Sequence, residues 1–190
     1  LVLATAMSFS PGPNTTLSAA LAANGGLRHA MRFVWAVPVG WSLLLLLCAA
    51  GVGGLVVAVP ALRGGIKVVG VAYLLWLAWK LSGSATLGQA AGDKLQISFR
   101  QGVALQFVNI KAWLLALTII AGWVAGHPDA QQRMAIVSPV MLFFAFASNL
   151  FYALVGAVLR SWLAQGKRLL WFNRCMAGIL VLTAAWMLKI

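Results

Sequence analysis

"SFSPGPNTT" (Ser8–Thr16) decides how this 190-residue chain is read. It lies inside an uncharged stretch that runs from Leu1 to Leu27. Two prolines bracket a glycine, and Asn14, Thr15 and Thr16 follow at once. A helix in hydrocarbon must pair its backbone polar groups internally, and Pro-Gly-Pro leaves some of them loose where no bulk water can satisfy them. One reading is a kink that aids packing, with the hydroxyls bonding back to their own helix. The other is an interruption kept for binding. In that reading Ser10 caps a helix that starts at Pro11, where the missing N–H of proline costs nothing. Gly12 adds backbone freedom. The next turn is then a half-helix N-terminus within the membrane. Its open N–H groups and positive dipole end suit an anion such as a carboxylate. Asn14, Thr15, Thr16 and Ser18 add hydrogen-bonding side chains. Two prolines, a glycine and an asparagine in one turn favour the second reading.

Composition supports the membrane setting. Hydrophobic residues make up 63% of the chain and charged residues only 8%, against about 25% charged in soluble domains. Residues 1–190 therefore read as a single integral membrane domain. The net charge of +12 comes from 14 Lys and Arg against Asp93 and Asp129. These cations are scattered singly at the ends of apolar runs, as in membrane proteins, and not massed on one face, so no nucleic-acid partner is expected. Cys48 and Cys175 each lie within an apolar run and read as small hydrophobic fillers. The chain begins at Leu1, so a few residues are expected to precede it. The stretch before Arg28 is too long and too polar in its middle for a signal peptide.

Charges used as punctuation divide the chain into six apolar segments. They are Leu1–Leu27, Phe33–Leu62, about Gly64–Leu81, about Gly102–Val124, about Met134–Leu159 and about Leu169–Ile190. Each is long enough to cross a ~30 Å hydrocarbon core as a helix. Lys67 and Lys80 must snorkel outward from the third. The polar stretch 82–101 joins two halves, residues 1–81 and 102–190, of three helices each. The first, third and fifth connections hold nine cations (Arg28, Arg32, Lys80, Lys94, Arg100, Arg160, Lys167, Arg168, Arg174), and the other side holds four (Arg63, Lys67, Arg133, Lys189). The richer side is expected to face the cytoplasm, which puts both termini on the outside.

The halves echo each other. "RFVWAVPV" (Arg32–Val39) matches "RMAIVSPV" (Arg133–Val140) at Arg, Pro and the last Val, 101 residues on. Lys67 and Trp79 correspond to Arg174 and Trp186 at an offset of 107, and Asn14 to Asn109 at 95. An odd number of helices per half makes the second half inverted relative to the first. The expected fold class is thus an all-α integral membrane protein with six transmembrane helices as two inverted three-helix repeats. Secondary transporters are often built this way, with the binding site between the repeats near the midplane.

A second candidate site is "LQFVNIKAW" (Leu105–Trp113). Lys111 lies nine residues into the fourth segment, or about 13 Å along a helix. A central lysine costs about 2.5–3.5 kcal/mol on insertion, so such residues usually face a cavity or a partner. A snorkelling lysine without a role is the plainer reading. Neither acid lies in a membrane segment. The partner is then a backbone carbonyl, a water or a bound anion. Gln106 and Asn109 on adjoining turns complete a polar patch. Asn149 in the fifth segment serves either the site or a plain interhelical hydrogen bond.

No carboxylate relay is available within the membrane, so proton coupling would use Lys111, a histidine or the substrate's own ionisation. His29 and His127 read as solvated loop residues. No nucleophile–base pair, phosphate-binding loop or metal-ligand cluster appears in the sequence, so neither an enzyme, nor a cofactor, nor a bound metal is expected.

"MSFSPGPNTTLSAALAANGG" (Met7–Gly26), followed by "LRHAMRFVWAVPVG" (Leu27–Gly40), resembles the start of the LysE/RhtB family of bacterial amino-acid exporters. "ALQFVNIKAW" (Ala104–Trp113) resembles that family's second motif, and "AYLLWLAWK" (Ala72–Lys80) the end of its third helix. The wording around Asn109 is most similar to the cysteine/O-acetylserine exporter branch. The resemblance covers nearly the whole chain. It implies six helices, an inner-membrane location and outward transport driven by the proton-motive force. The substrates it implies are small amino acids or derivatives of the cysteine/O-acetylserine, homoserine, threonine or lysine class. It also implies that Pro11, Gly12, Pro13 and Asn14 form one site motif and that Asn109 and Lys111 form the other. Many members carry Asn-Pro-Lys where this chain has Asn109-Ile110-Lys111. Ile110 restores a backbone donor, so the fourth helix is expected to be less broken than the first.

The substrate-binding set expected from all this is Pro11, Gly12, Pro13, Asn14, Thr15, Gln106, Asn109, Lys111 and Asn149. Its partners are a small amino acid and the lipid bilayer, with a homo-oligomer left open. Two other transport functions compete: a small-ion or metal exporter, which would need intramembrane ligands, and a transmembrane thiol carrier using Cys48 and Cys175.

Overall fold

The structure, a computed structural model, describes residues 2–83 and 96–189. Most of the expected connection between the halves, including Asp93 and Lys94, lies outside the described residues. No strand occurs among those described, and the helices follow the apolar segments. They are α1 (Val2–Phe9), α2 (Pro13–Gly25), α3 (Leu27–Ala49), α4 (Val52–Ala58), α5 (Pro60–Ser82), α6 (Phe99–Val108), α7 (Ile110–Ile119), α8 (Ala130–Leu163) and α9 (Arg168–Lys189). A π-helical turn, Ile120–Val124, extends α7.

Four of these helices are long and apolar enough to cross a membrane: α3, α5, α8 and α9. A fifth span is obtained if α6 and α7, bent by 67° at their break, are taken as one. The expected count was six. The shortfall lies in the first segment, which Ser10–Gly12 cut into pieces of 8 and 13 residues, each too short to span alone. The fourth segment is interrupted too, at one residue against three in the first. It is broken at Asn109 although Ile110 supplies an N–H, because Asn109 takes an extended conformation (φ −91°, ψ 97°) and ends one helix while starting the next.

The helix α2 is the centre of the bundle. Its residues are small or apolar on every side (Thr15, Thr16, Leu17, Ser18, Ala19, Ala20, Leu21, Ala22, Ala23), and all of these are buried, as expected for a helix enclosed by others. α3, α8 and α9 pack around it. Small residues permit close backbone approach in a membrane. At Gly156 of α8 an added Cβ would run into the Ala19 carbonyl of α2, and at Gly70 of α5 into the Val108 carbonyl at the end of α6. Gly26, with φ +86°, makes the one-residue turn from α2 to α3 and needs the freedom that only glycine has there. His29 belongs to the first turn of α3 and leans over Gly25, so it is not a loop residue as expected.

Two apolar clusters form the interior. One contains Leu17 and Leu21 of α2, Phe33 and Val34 of α3, Leu74 and Leu77 of α5, Leu105 of α6 and Leu180 of α9. The other contains Ala4 of α1, Trp41 and Leu44 of α3, Trp113 and Ala116 of α7, and Met141 of α8. The helix breaks thus divide the bundle into layers, with α2 and α6 in one layer and α1 and α7 in the other. Large side chains such as Val68, Leu182 and Phe143 point outward and suit a lipid-facing surface. Lys67 reaches the Leu188 carbonyl at the end of α9, at 3.5 Å, and Lys80 lies over the Trp76 ring. Both are thereby held at helix ends, where a cation is favoured.

Candidate functional site

A cavity of about 70 Å³ opens between the two clusters, at the level of both helix breaks. Gly12, Pro13, Asn14, Thr15, Asn109, Lys111 and Asn149 line it, so the two motifs, some 95 residues apart in sequence, meet in one place. Two expected residues do not line it. Gln106 is fully buried behind Asn14, and Pro11 is exposed.

The first break is held together by side chains. Ser10 Oγ donates to the Met7 carbonyl at 3.0 Å, and the Tyr152 hydroxyl donates to the Phe9 carbonyl at 2.9 Å. The Gly12 N–H donates to Thr15 Oγ1 at 3.1 Å. The Met7 and Phe9 carbonyls and the Gly12 N–H are therefore satisfied within the protein, as hydrocarbon requires. Two details differ from expectation. Ser10 does not cap the helix: α2 starts at Pro13, with Gly12 at the N-cap. Gly12 is not there for conformational freedom either, since its φ of −172° is ordinary extended backbone. A Cβ at Gly12 would lie 3.5 Å from Lys111 Nζ, in ordinary van der Waals contact, so the residue faces the lysine side chain without a glycine being demanded by space.

The second break is closed in a parallel way. Asn109 Oδ1 accepts from the Lys111 N–H at 3.2 Å, and Trp113 Nε1 donates to the Phe107 carbonyl at 2.8 Å. An asparagine at the N-cap does the work that proline does in the first break.

Lys111 Nζ projects across the cavity to Ser10, with Oγ at 2.6 Å and the carbonyl at 3.4 Å. No carboxylate reaches it among the described residues. Asp129 is exposed and bound to Arg133 at 2.8 Å, and that hydrogen bond holds its carboxyl below the usual range. Near Lys111 lies the N-terminus of α2. Thr16 N donates to the Gly12 carbonyl, while the N–H groups of Asn14 and Thr15 have no intrahelical acceptor. A half-buried ammonium and two open amides at a positive helix end thus face one small cavity. This arrangement attracts an anion.

Amide pairs fix the frame. Asn14 and Gln106 exchange two bonds, at 2.8 and 3.1 Å, and Gln106 also donates to the Gly102 carbonyl. Ser18 donates to Asn149 Oδ1 at 2.8 Å, which joins α2 to α8. Deeper in the same layer, Asn24 and Asn173 form a reciprocal pair at 2.8 and 2.9 Å. Asn149 is therefore both lining and brace. Sequence reading missed Ser10 as the partner of Lys111, and Tyr152 as the donor that closes the first break. It also missed the apolar wall of Met7, Val37, Trp41, Leu115 and Met141. Ser10 sat within the quoted motif and could have been paired with a buried cation. Nothing in the sequence singled out the wall.

Comparison with known proteins identifies the family. The family model described as LysE type translocator matches residues 5–189. The cysteine/O-acetylserine efflux protein of Escherichia coli (strain K12) is 34% identical over 182 residues, which cover 96% of this chain and 91% of that one. Its namesake from Salmonella choleraesuis (strain SC-B67) is 32% identical over 178 residues, 93% of this chain and 89% of the relative. No solved structure matches the chain at a significant level. With the family model spanning almost the whole sequence, the chain belongs to the LysE family of translocators: it is a multi-pass membrane transporter and not an enzyme.

Proposed function

We propose that this chain exports small amino acids or their derivatives across the bacterial inner membrane. Cysteine/O-acetylserine-like molecules come first, by the names of its relatives, with homoserine, threonine and lysine as the neighbouring class. The observation that carries the site is Lys111. Its ammonium stands in the cavity at 2.6 Å from Ser10 Oγ, beside the open amides of α2, with no carboxylate against it among the described residues. The substrate carboxylate binds there, exchanging with Ser10 as the partner of Nζ. Its ammonium lies toward the carbonyl end of α1, where Ser8 lines the cavity.

Transport follows an alternating-access cycle in one domain, residues 1–190, with α1–α2 and α6–α7 each counted as a single broken span. That makes six spans in two inverted repeats. Three features support the repeat: a break in the first span of each half, a proline inside both α3 (Pro38) and α8 (Pro139), and the packing of α3 on α8 and α5 on α9. The breaks let one layer move against the other around the cavity. The cation-rich side faces the cytoplasm and both termini face the periplasm. The proton-motive force drives export, and the protein works alone or as a homo-oligomer.

The test is export of labelled cysteine, O-acetylserine, homoserine, threonine and lysine from loaded cells expressing the chain, with and without an uncoupler. Export of at least one of them, lost on uncoupling, is expected. No export of any of them from cells with the protein in the membrane overturns the proposal.

A further inference from the structure

The cavity has a polar end and an apolar end. Lys111, Asn14 and Asn149 form the first, and Met7, Trp41, Leu115 and Met141 form the second. A zwitterion held by its carboxylate at Lys111 directs its side chain to the apolar end. Behind that end lies a separate apolar groove of about 190 Å³, lined by Ala4, Ile119, Trp123, Ile136, Val137 and Val140, with Met141 again. Met141 is the one described residue that lines both spaces, and it is only 5% exposed.

Helix periodicity explains the placement. Val137, Met141 and Ala145 follow at intervals of four along α8, on one face. Val137 lines the groove, Ala145 lines the cavity, and Met141 between them lines both. Ser148 and Asn149 continue the stripe to the polar end. Among the described residues, Met141 is thus the side chain shared by the small space and the larger one.

We infer that Met141 is the partition that limits the substrate's side chain to small size. Methionine suits the task because its unbranched thioether adapts to several small shapes. Cysteine and O-acetylserine differ in length, and such a wall accepts both while keeping the groove shut. Loss of the wall joins the groove to the cavity and gives longer apolar side chains a place to go. One methylene more or less in an apolar pocket changes selection by about tenfold or more. The inference rests on the export reading above, and it adds which residue sets the upper size limit.

The test compares export of cysteine and O-acetylserine with export of leucine, methionine and phenylalanine. Wild type, Met141→Ala, Met141→Val and Met141→Leu are expressed at matched levels in the membrane. The ratio of large to small substrate export is the readout. It is expected to rise by about tenfold or more in Met141→Ala, and in Met141→Val for leucine and methionine but not phenylalanine. Met141→Leu, of similar volume, is expected to keep the wild-type ratio. The valine variant removes fewer atoms, so it tests the inference even if the alanine variant folds poorly. An unchanged ratio in a shortened variant that reaches the membrane overturns the inference. So does an equal rise in Met141→Leu. Wild type that exports neither small nor large amino acids overturns the export reading itself.

Discussion

Lys111→Met separates binding from folding more sharply than any other change in this chain. It keeps most of the length of the side chain and removes the ammonium. Among the described residues that ammonium has Ser10 as its hydrogen-bond partner, at 2.6 Å to Oγ and 3.4 Å to the carbonyl. Ser10 Oγ keeps its own bond to the Met7 carbonyl when Lys111 is gone. Against these modest contacts stands the cost of holding a cation in the membrane, about 2.5–3.5 kcal/mol on insertion scales. The substitution should therefore leave stability unchanged or raise it by about 1–2 kcal/mol, since a charge is removed and few contacts are lost.

Transport should respond in the opposite sense. A substrate carboxylate that loses its charged partner in a desolvated site loses about 2–5 kcal/mol of binding. At 1.4 kcal/mol per tenfold, that corresponds to a drop of about 30-fold to several-thousand-fold in affinity. The assay is exchange of labelled cysteine or O-acetylserine in vesicles holding purified protein, paired with thermal unfolding in detergent. A variant that still exchanges within about threefold of wild type would refute the carboxylate assignment, since even the low end of the range exceeds that. A variant that unfolds several degrees earlier would refute the stability half. It would mean that Lys111 supports the fold, for instance by fixing the first break through Ser10.

Two further changes test the packing around the site. Tyr152→Phe removes the donor to the Phe9 carbonyl and should cost about 1–3 kcal/mol by leaving that carbonyl unsatisfied, read as a lower unfolding temperature with little change in apparent substrate affinity. Gly156→Ala drives a methyl group into the Ala19 carbonyl of α2 and should cost about 1–3 kcal/mol or more through forced separation of α2 and α8, with loss of folded protein in a size-exclusion profile; wild-type yield and unfolding temperature would count against that tight approach.

How much of this was legible beforehand depends on which physical signal each feature leaves in sequence. Apolar runs bounded by single cations are a direct consequence of bilayer thickness, so α5, α8 and α9 emerge at nearly their observed ends, whereas the expected Phe33–Leu62 segment is divided into α3, which ends at Ala49, and the short α4 around Gly51. A lysine deep in such a run signals a cavity, because solvation makes it costly elsewhere. Cys48 shows the limit of such reasoning in the other direction. It is buried in one apolar cluster while Cys175 is exposed on α9, and the sequence alone gave no hint that they differ.

The breaks show why composition misleads locally. Proline announces a break because it lacks an N–H and restricts the residue before it. The first break was visible for that reason, although its chemistry was not. Ser10 and Gly12 looked like a cap and a source of backbone freedom, but Ser10 binds Lys111 and Gly12 lies in extended backbone against the same lysine. Those roles depend on α7 being close, about 100 residues further along, and no local pattern encodes that distance. Asn109 breaks its helix without any proline at the next position, by turning its side chain back onto the Lys111 N–H. Its signal is the capping preference of asparagine, which is weak in a sequence because asparagine also serves many other purposes. The two breaks thus reach one architecture by different chemistry. In both, an aromatic side chain (Tyr152 in one, Trp113 in the other) supplies the donor that the missing water would have provided. A membrane helix can therefore be interrupted wherever a neighbouring side chain satisfies the freed carbonyl. The place to seek a binding site is where two such interruptions meet, with a cation between them that no carboxylate reaches among the described residues.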